Sequence, residues 1–364
     1  TLIRCAPIPR ISDLAAVLGL ALFLGSFAAA DGFAHRGVIE GFYGPPWPAA
    51  ARLEFTSWML DHDMNLYIHA PKNDPYQRLS WRSPYPQSEI DQFAAEIALA
   101  GSRLAWVPSI SPGQPLLEAA QTHDVDICFS CPADFALLVA KLDQFWDIGA
   151  RTLMVSFDDV IKASTHPKDA VAYGVGDYAY GVMNGDLLNR LFAHYSALAA
   201  AKGSAFRLIT VPADYFGVST TPYLEGLRAT LTADPRMIVM WTGVLVVSPT
   251  ISCTEADGFA AAIGRKPLLW DNFPVNDYAM PAKLMVGPYA GRAADLPSCL
   301  AGIASNPSNQ VVANEIPLYT VADYLANPAG YDREASWEAS LAEFAPRHAL
   351  AGTAAPRELL GHFA

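Results

Sequence analysis

Two adjacent carboxylates, Asp158 and Asp159, close the apolar run Leu153-Met154-Val155-Ser156-Phe157. Neighbouring side chains of an extended strand point to opposite faces, so this pair shares a target only where the strand has ended. Carboxylates crowded together resist joint ionisation, and one is driven toward its protonated form, where it can serve as an acid. Cleavage of a glycosidic bond needs such a donor for its leaving oxygen. A capping or salt-bridging pair and a divalent-metal site are the other readings these two residues leave open. Lys72, Asn272, Asp277 and Asn306 are compact polar groups suited to hydrogen-bonding sugar hydroxyls, and Tyr215 and Trp270 could wall a pocket with apolar faces. Each of them, taken singly, also fits a plain structural role. His69 reads as a satisfied core histidine and Trp106 and Trp241 as core, while 71–83 reads as a loop.

The elements that must position these groups are legible as an alternation. Short apolar runs occur at Gly37–Gly41, Asn65–Ala70, Leu104–Ile110, Leu153–Phe157, Phe206–Val211, Met237–Trp241, Pro267–Trp270 and Leu300–Ala304. Such runs suit parallel strands covered on both faces. Between them lie segments of helical spacing, among them Ala49–Asp61, Ala133–Ile148 and Met183–Lys202. Eight strands in repeated strand–helix order predict an α/β fold of the (β/α)8 TIM-barrel type. The link from Asn272 to Ser298 reads as a long loop. Every strand runs into polar or turn-forming residues at its C-terminal end, from Glu40-Gly41 to Ser305-Asn306, which predicts that polar groups converge on that face. The barrel is expected over 31–315, with a short C-terminal helical extension over 316–364 that includes Leu318–Leu325 and Arg333–Phe344.

Composition narrows the classes of function. Of 364 residues, 52% are hydrophobic and 16% charged, which provides a sizeable core. The net charge of -12 opposes binding to nucleic acid or to anionic membranes, so neither is expected as a partner. At the N-terminus, Arg4 and Arg10 precede an apolar run from Leu14 to Phe27 and the small residues Ala28-Ala29-Ala30. That order is the pattern of a secretory signal peptide over 1–30, so a secreted or periplasmic location is expected. The run is short for a membrane span. Five cysteines occur: Cys5, Cys128, Cys131, Cys253 and Cys299. Cys128-Phe-Ser-Cys131 has the spacing of half a zinc knuckle but no second pair beside it, so a loop disulfide or unpaired thiols are expected instead.

With these motifs in order, the chain resembles glycoside hydrolase family 84, which holds the β-N-acetylglucosaminidases called O-GlcNAcases and bacterial enzymes labelled hyaluronidases. The resemblance rests on Gly37-Val38-Ile39-Glu40-Gly41-Phe42-Tyr43-Gly44-Pro45-Pro46-Trp47, on 64–75, on Ile110-Ser111-Pro112-Gly113, on Phe157-Asp158-Asp159-Val160, on 239–243, on 270–278, on Gly287–Arg292 and on Ser305-Asn306-Pro307. It spans about 36–337. It implies substrate-assisted retention, in which the 2-acetamido oxygen of the sugar attacks the anomeric carbon and forms an oxazoline. Asp158 then matches the residue that steers the acetamide, and Asp159 the general acid and base. By motif position Gly41, Lys72, Asn272, Asp277 and Asn306 would hold the sugar, Tyr215 would contact the acetamide, and Trp270 would border its pocket. The resemblance implies a carbohydrate or glycoprotein substrate bearing β-linked N-acetylglucosamine, and neither metal nor organic cofactor. The chain departs from the family pattern at Asn73, at Val244 and at Ala213-Asp214-Tyr215. An endo-acting hyaluronan hydrolase and a sugar-binding homologue without turnover are the competing readings.

Overall fold

The computed structural model describes residues 32–116, 125–278 and 280–348. The expected signal peptide lies outside the described residues. Eight parallel strands form a closed barrel in sequence order. They are β1 (His35–Glu40), β2 (Leu66–His69), β3 (Ala105–Ile110), β4 (Thr152–Ser156), β5 (Arg207–Val211), β6 (Met237–Trp241), β7 (Leu268–Asp271) and β8 (Gly302–Ser305). β1 closes the ring against β8 through His35↔Gly302 to Val38↔Ser305. All eight predicted runs are therefore strands, and the (β/α)8 expectation holds.

Strand parity builds two cores. Ile39, Leu66, Ile68, Val107, Met154, Ile209, Ile238, Met240, Leu268, Trp270 and Ala304 form a cluster that fills the barrel. The alternate residues, such as Val38, Tyr67, Trp106, Leu153, Val155, Val239 and Ile303, join a larger cluster with the helices outside. This is why the strands read as continuous apolar runs: both faces are covered.

The helices are α1 (Ala49–Asp61), α2 (Gln87–Ala100), α3 (Pro132–Asp147), α4 (Pro167–Tyr173), α5 (Asp177–Ala201), α6 (Pro222–Thr230), α7 (Cys253–Ile263), α8 (Glu315–Ala326) and α9 (Arg333–Arg347). Their starts follow ordinary capping chemistry. Pro occupies the first turn of α3, α4 and α6, and Ser252 and Glu255 form a reciprocal capping box on α7. Helix α5 starts ahead of the predicted Met183. Gly181 and Gly185 lower the helix propensity there. They are needed because a Cβ on Gly181 would lie 2.1 Å from the Tyr223 carbonyl oxygen of α6. Between β7 and β8 runs the predicted long connection, with a 3-10 turn at Leu296–Ser298. Helix α8 packs on β1 and β8 as the last helix of the barrel. The predicted boundary at 315/316 thus falls inside a helix that belongs to the barrel. Among the described residues, no helix is long and apolar enough to cross a membrane.

Among the described residues two disulfides are present, Cys128–Cys131 and Cys253–Cys299. The first takes both thiols of the zinc-knuckle spacing out of metal chemistry.

Candidate active site

At the C-terminal ends of the strands lies a cavity of about 510 Å³, within the ~300–1,000 Å³ usual for small-molecule sites. Gly41, Lys72, Asp158, Asp159, Tyr215, Trp270, Asn272, Asp277 and Asn306 all line it, so every predicted site residue reaches one place.

Parity explains most of this convergence. Ile39, Ala70, Met154, Trp270 and Ala304 belong to the barrel interior. Two residues further on, the same face presents Gly41, Lys72, Asn272 and Asn306; Asp158 follows Met154 by two such steps. Asp159 has the wrong parity. Its backbone is left-handed, with φ 55°, and this turns its carboxylate back toward the cavity beside Asp158. Asp277 arrives from the long β7–β8 connection instead of from a strand.

The two carboxylates have different surroundings. Asp158 is 4% exposed, and its Oδ2 is bound by the ammonium of Lys72. Its Oδ1 is buried and accepts no hydrogen bond among the described residues. Lys72 also lies over the indole of Trp270, 5.1 Å from the ring centroid. Asp159 accepts from two phenols, Tyr215 at Oδ1 and Tyr43 at Oδ2, both at 2.8 Å. Burial alone would raise the Asp159 carboxyl, but Lys72, the two phenols and Arg78 outweigh it and hold this group below the usual carboxylate range, the reverse of the protonated form expected for one member of the crowded pair. Asp277 is pushed up, first by burial, although the Tyr43 backbone N–H donates to its Oδ2 at 2.7 Å.

The floor is fixed by side-chain amides. Asn272 Oδ1 accepts from Trp270 Nε1 at 3.0 Å and from Asn306 Nδ2 at 2.9 Å, and Asn272 Nδ2 donates to the Val246 carbonyl at 2.6 Å. Asn306 Oδ1 accepts from the Gly41 N–H at 3.2 Å. Gly41 is required where it stands: a Cβ there would lie 2.3 Å from Cζ2 of Trp270. Leu116, Val246, Val247, Tyr278 and Met280 form an apolar lip around the opening.

Some polar strand ends expected at the cleft are not in it. Glu40 and Asp74 face the helix layer and flank His69, at 3.4 and 3.9 Å. His69 stacks on Trp106, which confirms it as a core histidine. Asp271 is bound by Arg292 at 2.5 Å and by the Tyr289 hydroxyl behind the barrel wall, and Asp214 pairs with Lys162 at 3.0 Å. Glu40 and Asp271 have odd parity with respect to the interior, a signal the sequence carries. Conversely, Tyr43 and Arg78 touch Asp159 and are not among the predicted site residues. Tyr43 lies on the same parity as Ile39 and Gly41, while Arg78, inside the 71–83 loop, has no such signal.

A parallel eightfold barrel with its polar groups gathered at the strand C-termini defines an enzyme of the (β/α)8 class. Residues 36–356 match the family model described as beta-N-acetylglucosaminidase, and the chain belongs to that family, glycoside hydrolase family 84. It is 31% identical over 338 residues to the protein O-GlcNAcase of Mus musculus, covering 90% of this chain and 34% of that protein. The Rattus norvegicus protein O-GlcNAcase is likewise 31% identical, over 82% of this chain and 31% of its own length. The chain therefore spans about a third of the length of these curated relatives. A mutant of the Thermobaculum terrenum O-GlcNAc hydrolase superposes with a TM-score of 0.77 at 31% identity, covering 86% of this chain and 63% of that one. The structure of CpGH84B superposes with a TM-score of 0.74 at 32% identity, over 90% and 53%.

Proposed function

We propose that this chain is a retaining, exo-acting β-N-acetylglucosaminidase working by substrate-assisted catalysis on β-linked N-acetylglucosamine of glycoproteins or glycan termini. The observation that carries this reading is the free Oδ1 of Asp158. A buried carboxylate oxygen without a donor is costly unless a ligand supplies one. Its other oxygen is held by Lys72, so Asp158 is aimed at the cavity while it takes the acetamide N–H of the sugar. The acetamide oxygen then attacks the anomeric carbon as the glycosidic bond breaks, and Asp159 gives its proton to the departing oxygen. In the second step Asp159 takes a proton from water, which attacks the anomeric carbon as the bond between that carbon and the acetamide oxygen breaks and the acetamide is regenerated. An internal nucleophile benefits from a large effective molarity, and the negative charge of Asp158 favours the positive charge that grows on the acetamide. Both carboxylates come from one strand end on one side of the site, which suits this scheme better than a pair flanking the bond from opposite faces.

The closed floor of Gly41, Trp270, Asn272 and Asn306 favours a terminal sugar over an internal one. The apolar lip and the acidic balance of the chain favour a neutral aglycone over hyaluronan. Export through a signal peptide over 1–30 is part of the same proposal, and two disulfides support an oxidising destination.

The test is a substrate panel with Asp158→Ala. The native protein should hydrolyse aryl β-N-acetylglucosaminides at least ~10³-fold faster than the matching β-glucosides, since only the former carry the nucleophile. Asp158→Ala should lose at least ~10²-fold on every 2-acetamido substrate. Comparable turnover of plain glucosides would refute the substrate-assisted scheme.

A further inference from the structure

We propose that Arg78 and Tyr43 form a positioning relay behind Asp159, which aims its carboxyl into the cavity and stabilises its ionised form before the sugar binds. The proposal rests on the reading of Asp159 as general acid. Asp159 needs outside support, because a left-handed backbone is unfavourable for a residue with a Cβ. That support comes from several sides. The Leu116 N–H donates to the Asp159 carbonyl at 2.8 Å, and Arg78 Nη2 reaches the same oxygen at 3.4 Å. Arg78 Nη1 donates to the Tyr43 hydroxyl at 3.3 Å, and that hydroxyl donates in turn to Asp159 Oδ2 at 2.8 Å. Tyr43 thus accepts from a buried cation and gives to a carboxylate, which directs its proton at Asp159 and strengthens the second bond. Arg78 is 2% exposed, so water screens its charge little. The Tyr43 backbone also holds Asp277, at 2.7 Å, so one residue connects the acid to a predicted sugar-binding group.

The other charged or titratable groups facing Asp159 are Lys72, Asp158, Tyr215 and Asp277. Burial and the neighbouring carboxylate push the phenols of Tyr43 and Tyr215 well above their ordinary range, so both stay donors at any working pH. Tyr43 and Tyr215 both line the cavity. Tyr43 is held in addition by Arg78 at its hydroxyl and by Asp277 and Asn309 at its backbone. The relay therefore contributes a fixed part of the proton affinity of Asp159.

The sign of the effect separates this from a merely structural role. The acid must be protonated to act, so the alkaline limb of the kcat/KM profile follows its proton affinity in the free enzyme. Removing a donor that favours the carboxylate raises that affinity and moves the limb to higher pH. Tyr43→Phe and Arg78→Gln should each shift it upward by about 0.5–1 pH unit on a substrate with a poor leaving group, with Arg78→Lys in between. Their kcat at the optimum should fall by roughly 10-fold or more as the aim loosens. Tyr43→Phe keeps the ring and its packing, so it reports even if Arg78→Gln fails to fold. Asp159→Ala is measured alongside, and should lose far more on poor leaving groups than on activated aryl glycosides. If that contrast is present but the limb of Tyr43→Phe stays within about 0.2 unit of native, the relay is overturned and the acid assignment stands. Equal losses on both leaving groups with Asp159→Ala overturn the two together.

Discussion

A methyl group added to Gly41 would test how tightly the cavity is built. The indole of Trp270 occupies the space where that Cβ would go, at 2.3 Å, and the N–H on the adjoining edge of the ring is held by Asn272. Overpacking of this kind typically costs ~1–3 kcal/mol of stability and moves the ring rather than the backbone. Because the ring is also the wall of the cavity, Gly41→Ala should lower kcat/KM by about 10–100-fold, mostly through KM, with only a modest fall in melting temperature. Activity within twofold of native would mean that Trp270 does not border the bound sugar. At this scale much of the site is legible in the residue order, since a strand residue two steps beyond an interior one must face the barrel mouth. Gly41, Lys72, Asp158, Asn272 and Asn306 follow that rule, and so does Tyr43, which the same rule could have found. Asp159 breaks it, and nothing in the residue types announces a left-handed turn at that position. Arg78 enters from a loop whose path has no period, so its place behind Tyr43 is not legible at all.

Among the elements, the strands are legible because burial on both faces writes them as unbroken apolar runs, and the eight runs are the eight strands of the barrel. The start of α5 is hidden by glycines whose purpose, close approach to α6, exists only in three dimensions. The same holds for the long β7–β8 connection. Its composition marks it as a loop but carries no sign of what fastens it. In the folded chain it is fastened at several points: Arg292 on Asp271, Tyr289 N–H on Thr320, and the Cys253–Cys299 disulfide from the start of α7. That disulfide spans 46 residues, so chain entropy assigns it up to about 4 kcal/mol, whereas Cys128–Cys131 spans 3 and is assigned less than about 2 kcal/mol. The double variant Cys253→Ala/Cys299→Ala should therefore lose roughly 2–4 kcal/mol in a urea titration, and Cys128→Ala/Cys131→Ala clearly less. The reverse order would show that the connection carrying Asp277 is secured by its polar contacts alone.

For the molecule as a whole, charge and shape act on the substrate in the same direction. Thirty-six acidic residues against twenty-four basic ones leave a net charge of -12. The lip of the cavity offers Leu116, Val246, Val247, Tyr278 and Met280 to whatever enters it. A polyuronate would meet general repulsion at a distance and an apolar rim on contact. Salt screens the first effect beyond about 8 Å at physiological ionic strength but leaves the second untouched. Hyaluronan should thus be hydrolysed at least ~100-fold more slowly than a neutral aryl or peptide-linked N-acetylglucosaminide, because burying an unpaired carboxylate against apolar side chains costs several kcal/mol. Raising the salt from about 0.05 to 0.3 M should narrow that gap by no more than severalfold, since only the long-range part responds. Viscometry on hyaluronan beside a colorimetric assay on the neutral substrate gives both rates. A gap that closes with salt would place the discrimination in the overall charge, and the absence of any gap would make the endo-acting hyaluronan hydrolase the better account of this barrel.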